Sequence, residues 1–98
     1  MTDLVIKGGT VVDPSQSLNA VRDVRVSDGL VAEVASSIST TGRTVYDATG
    51  YIVTPGLVDI LCHPWPQGNA YLGVDPDSRL ADGVTTMVGA GDPGPWML

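Results

Sequence analysis

The hydrophobic rhythm of this chain changes once, at Pro55-Gly56, and that change limits what it can fold into. Before it, short runs alternate apolar with charged or polar residues and are punctuated by turn residues. Val21 to Val26 alternates Val with Arg and Asp, as a half-buried strand should. Asp28-Gly29 follows, and Leu30 to Val34 returns with similar alternation, which predicts a hairpin closed by a tight turn. Leu4 to Lys7 is a further strand; Gly8-Gly9 turns it, and Thr10 to Val12 continues until Asp13-Pro14 ends the run. Ser36 to Gly42 is a polar loop. Thr44 to Tyr46 and Tyr51 to Val53 are two more short strands around the turn Asp47-Ala48-Thr49-Gly50. Twelve glycines and seven prolines suit such short elements. Roughly four to six small strands in about fifty residues predict one layer or more of a β-sandwich.

After the change, Leu57 to Leu61 is a nearly continuous apolar run, the pattern of a parallel strand buried on both faces. A loop rich in Pro, Gly and Trp follows from Pro64 to Val74. Asp75-Pro76-Asp77 opens a short helix, with Asp75 as N-cap and Pro76 in the first turn. That helix ends near Asp82, where Gly83 suits a left-handed cap. Val84 to Val88 is a second buried strand, so strand, helix and strand form a βαβ unit, right-handed by the general rule for such crossovers. The division predicted is therefore residues 1–53 and residues 54–98.

The 98 residues suit a small domain, and the 43% hydrophobic content supports a packed core. A net charge of −6 argues against nucleic acid or an anionic membrane as partner. The single cysteine, Cys62, excludes an internal disulfide and fits a reducing compartment. No basic stretch precedes a long apolar run, and no stretch approaches the ~20 apolar residues of a membrane span. A cytoplasmic protein is the expectation.

The chemistry-bearing residues gather at the end of the first apolar run. On a regular strand Asp59, Leu61 and His63 share one face, and Ile60 and Cys62 the other. His63 is a metal-ligand candidate, but one imidazole does not make a closed zinc site. The plainer reading is a strand-end histidine making ordinary hydrogen bonds. Asp59 either orients His63 from behind or caps the turn and bonds a backbone amide. Cys62 suits a small buried hydrophobe; its parity keeps it from acting as a soft ligand unless a bulge before Pro64 re-aims it. Asp92 is a loop residue. Trp65 and Trp96 either line a pocket or cover apolar surface.

Taken together, Ile6-Lys7-Gly8-Gly9-Thr10-Val11-Val12-Asp13, Asp28-Gly29-Leu30-Val31, the passage from Asp47 through Thr54-Pro55-Gly56-Leu57-Val58-Asp59, and Gly83-Val84-Thr85-Thr86 resemble the amidohydrolase superfamily. Tyr71-Leu72-Gly73-Val74-Asp75-Pro76-Asp77 is similar to its dihydroorotase and deacetylase branch. The resemblance implies a mainly β chain with a βαβ unit: part of a β-sandwich, followed by the first two strands of an incomplete (β/α)8 barrel. It implies a metal-dependent hydrolase of C–N bonds in amides or cyclic amides, of which this chain is the amino-terminal portion. It further implies zinc or another divalent metal gripped by a His-x-His pair ending the first barrel strand. His63 matches the second histidine; Leu61 stands at the first and has no lone pair to give. The expectation is therefore no metal and no catalysis in this chain alone, and an amide or lactam substrate only within a complete barrel. The alternative is a non-catalytic scaffold or interaction subunit. Two parallel strands with one short helix leave open edges and faces, which predicts a second copy or a partner chain.

Overall fold

The computed structural model describes residues 3–64 and 73–91. Trp65, Trp96, Asp92 and the loop and motif residues 65–72 lie outside the described residues. The chain divides into two compact units, residues 1–55 and 56–98.

Unit 1 is a five-stranded mixed sheet built around one long strand. β1 (Asp3–Asp13) turns through a 3-10 segment (Pro14–Gln16) into β2 (Leu18–Ser27), and β3 (Leu30–Ala35) follows β2. β1 pairs antiparallel with β2, and β2 with β3. The hairpin between β2 and β3 forms as its sequence predicts. Asp28 and Gly29 both hold positive φ, +53° and +77°, as a two-residue turn matching strand twist requires.

Gly8-Gly9 behaves otherwise. It does not turn the chain but lies inside β1, where the ladder steps from Ile6↔Val24 to Gly9↔Arg22, three residues against two. This is a β-bulge with Gly8 at φ +75°, a conformation that costs glycine little. The true reversal is the Asp13 turn, whose carboxylate accepts from Ser15 N–H at 3.0 Å, Ser15 Oγ at 2.6 Å and Gln16 Nε2 at 2.8 Å.

The other edge of β1 carries β4 (Thr44–Asp47) and β5 (Ile52–Val53), both parallel to it. The turn between them does not reverse the chain; it steps over the bulge. Ala48 N–H donates to Lys7 O at 2.8 Å, and Thr10 N–H to Tyr51 O at 3.0 Å, so β4 covers β1 up to Lys7 and β5 resumes at Thr10. A Cβ on Gly9 would sit 2.5 Å from Val53 Cγ2, so the close approach of β5 needs glycine there.

The core of unit 1 is Val5, Val11, Val24, Ile38 and Ala48, with one carboxylate, Asp23, among them. Asp23 lies opposite the bulge and collects three donors: Lys7 Nζ, Gly8 N–H and Ile38 N–H, each at 2.9 Å. Burial pushes its pKa up, but Lys7 and the two amides outweigh that and hold it below the usual carboxylate value. A second cluster ties three segments of unit 1. Asp3 accepts two bonds from Arg25, both at 2.9 Å, and one from Arg43 at 3.2 Å.

The Arg25 bonds, helped by Arg43 and opposed by desolvation, lower the Asp3 pKa to about 2. Its unfolded value is about 3.9. Because folding depresses this pKa, the stabilisation is complete above about pH 4 and disappears as pH falls through about 2. The stability gap between the wild type and Asp3→Asn, read from urea midpoints, is therefore expected at pH 7 and should shrink towards zero between pH 4 and 2. A gap unchanged at pH 2 would exclude Asp3 as its source.

Unit 2 is a two-stranded parallel sheet, β6 (Leu57–Cys62) and β7 (Val84–Gly89), with α1 (Pro76–Ala81) between them in sequence. Asp75 caps α1, accepting from Asp77 N–H at 3.0 Å, and Gly83 leaves it at φ +91°. Sequence pattern places these elements well but overstates their burial. Ile60 and Leu61 are each 75% exposed, and Leu57, Val58 and Val88 are also exposed. Two strands and a six-residue helix offer too little surface to cover both faces of the sheet. Gly56, beside β7, has no room for a side chain: a Cβ there would meet Thr85 Cβ at 2.8 Å and overlap the rest of that side chain.

Candidate functional site at the end of the first apolar strand

The end of β6 gathers Asp59, Leu61, Cys62 and His63. Strict alternation predicts Asp59 and Leu61 on one face and Cys62 on the other, and the ladder does not follow it. Asp59 pairs with Met87 and Cys62 with Gly89, so three residues of β6 span two of β7. Met87 and Gly89, two apart on β7, share a face, and their partners share it with them. Asp59 and Cys62 therefore lie on the same side, and both are more covered than Ile60 and Leu61 between them. The ladder is irregular between Asp59 and Cys62.

Each residue has a defined local role. The Asp59 carboxylate accepts from Leu61 N–H at 3.0 Å, a turn-like bond to the backbone two residues on. Cys62 is buried, with Sγ 3.6 Å from Val88 O, and its carbonyl accepts from Ala90 N–H at 2.9 Å. His63 is half-buried just past the strand, and its carbonyl accepts from Val74 N–H at 2.9 Å, which ties the strand end to the approach of α1.

These residues do not fit a two-imidazole grip on a divalent metal. Leu61 is hydrocarbon, and its side chain is exposed. The carboxylate nearest in sequence is already engaged by a backbone amide. Among the described residues no three His, Cys, Asp or Glu side chains come together in a ligating group. A closed zinc site needs four such donors and a catalytic one three, so no metal chemistry is derived for this strand end.

An open apolar groove of ≈ 390 Å³ lies on unit 1, its lining including Leu4, Ile6, Tyr46, Tyr51, Ile52 and Val53. It contains no acid, base or nucleophile beyond two tyrosines, so it suits packing and not catalysis. Among the described residues no helix is long and apolar enough to cross a membrane. Asp23, the buried carboxylate of unit 1, does not stand out in the sequence. Its only signal is that Val21-Arg22-Asp23-Val24 breaks strict alternation, and in the structure the adjacent Asp23 and Val24 are both buried while Val21 is exposed.

No protein-family model matches the chain. It is 41% identical over 88 residues to a dihydroorotase of Streptococcus pneumoniae serotype 4, a match covering 87% of this chain and 21% of that protein. A dihydroorotase of Ruminiclostridium cellulolyticum is 47% identical over 68 residues, covering 69% of this chain and 16% of the relative. The chain thus spans about a fifth of the length of the curated relatives it matches. Among solved structures, a dihydroorotase superposes with a TM-score of 0.75 at 24% identity, over 96% of this chain and 25% of that one. A dihydropyrimidinase from Brevibacillus agri NCHU1002 gives a TM-score of 0.57 at 34% identity, over 63% and 13%.

A long bulged strand heading a mixed sheet, followed by a parallel β–α–β segment, is the amino-terminal part of the amidohydrolase fold, and the chain belongs to that superfamily. Its sequence relatives within the superfamily are dihydroorotases, matched over their amino-terminal part.

Proposed function

We propose that this chain is the amino-terminal segment of an amidohydrolase-like, metal-dependent hydrolase of C–N bonds in amides or cyclic amides, and that it is inactive by itself. The carrying observation is 41% identity to a dihydroorotase over 87% of this chain but only 21% of the relative. Hydrolysis of an amide by a metal hydroxide needs several protein ligands around one ion, and β6 presents a single imidazole for the task. Unit 1 is then the amino-terminal share of the sandwich, and unit 2 the opening strands of the barrel.

The test is direct. The 98-residue chain and its Leu61→His variant, each supplied with zinc, are expected to leave dihydroorotate unhydrolysed. Zinc-dependent turnover by either would refute inactivity. Leu61 supports a second reading, a non-catalytic relative that serves as a scaffold or interaction subunit, in keeping with the exposed apolar residues of β6. A tight zinc site formed by the unmodified chain would count against it.

A further inference from the structure

The β6–β7 ladder contains two register shifts, and they cancel. Leu57 pairs with Val84 and Cys62 with Gly89, at one common offset; between them Val58 pairs with Thr86 and Asp59 with Met87, slid one residue along β7. A ladder at the common offset throughout would have the same ends. It would place Val58 opposite Thr85 and Asp59 opposite Thr86, and so turn Asp59 to the other face of the sheet. The strand thus has two registers that differ only in its middle.

A polar bond marks the second shift of the observed register. The second shift spans Ile60 and Leu61, and the amide of Leu61 is bound there by the Asp59 carboxylate. A carboxylate bonded to the amide two residues on draws the backbone into a turn, which competes with ladder pairing for that N–H. Hydrocarbon packing opposes this weakly, because Ile60 and Leu61 are exposed and lose little by sliding. We propose that Asp59 is a positioning residue that locks β6 in the slid register, and so sets which residues of β7 the middle of the strand lies against and which face of the sheet Asp59 itself takes. The inference concerns the strand's geometry and does not depend on catalysis.

The experiment follows cross-strand proton contacts by NMR in the full chain carrying Asp59→Asn, Asp59→Glu or Asp59→Ala. Asparagine keeps an oxygen at the same reach without the charge, and glutamate keeps the charge but is one methylene too long for this turn. Asp59→Asn is expected to retain the contact between residue 59 and Met87. Asp59→Glu and Asp59→Ala are expected to lose it and to show residue 59 against Thr86. If Asp59→Ala does not fold, the contrast between asparagine and glutamate decides alone. A Met87 contact surviving in Asp59→Glu, or lost in Asp59→Asn, overturns the proposal.

Discussion

Asp23→Ala is expected to destabilise unit 1 by about 3 kcal/mol, since it leaves the buried amide of Ile38 and the half-buried amide of Gly8 without an acceptor. Asp23 is 3% exposed and binds Lys7 Nζ, Gly8 N–H and Ile38 N–H. Lys7 lies at the surface enough for water to reach it, with a side chain 43% exposed, so most of the cost falls on the two amides. Alanine is also too small to fill the space. Small domains have a total stability of about 5–15 kcal/mol, so the variant should lose much of its resistance to urea. Asp23→Asn should cost less, about 1 kcal/mol, because its oxygen still accepts while the charge on the Lys7 bond is lost. Urea unfolding followed by far-ultraviolet circular dichroism measures both. Equal losses for alanine and asparagine would show that charge, not amide satisfaction, is what Asp23 supplies.

The second large effect concerns Leu61. If the matching segment of the Streptococcus pneumoniae dihydroorotase is replaced by this chain, the chimera should hydrolyse dihydroorotate roughly a hundredfold or more slowly than its parent. Loss even of a residue that only supports a metal ligand costs about 10–100-fold, and here a candidate ligand itself is replaced by hydrocarbon. Leu61→His in the chimera should recover most of that loss, together with zinc content measured on the purified protein. An active Leu61 chimera with a full complement of zinc would show that the first position of the pair is dispensable. The expectation rests on the proposed function; the Asp59 register experiment does not, so the two can fail separately.

How legible these features are in the sequence depends on how local their causes are. Asp28-Gly29 needs two adjacent positive φ values, and the dipeptide states that need directly. Asp75-Pro76 and Gly83 likewise carry the start and end of α1 in their own chemistry. Gly8-Gly9 looks the same as a turn, yet it is a bulge, and what decides is Asp23, fifteen residues away and bonded to Gly8 N–H. Short strands on either side of Asp47-Ala48-Thr49-Gly50 suggest pairing with each other; instead both lie along β1, a choice made by the long strand's free edge. At the candidate site, the residue types were readable, including the missing lone pair at Leu61. Their facing was not, because alternation assumes one register and the β6–β7 ladder contains two. Apolar content also predicted burial for β6 that these two strands do not provide.

The stepping of β4 and β5 along β1 has a kinetic consequence. The meander β1–β2–β3 joins neighbours in sequence and closes short loops, so it can assemble as soon as its own residues are available. The far edge of β1 must wait for partners about forty residues downstream, whose docking is parallel and non-local. Until Thr44–Val53 arrives, the central strand of unit 1 has one unpaired edge beside Leu4 and Ile6. The order of assembly is therefore written into the topology: hairpins first, then closure of the open edge, with the bulge at Gly8 as the point where the two late strands divide their work.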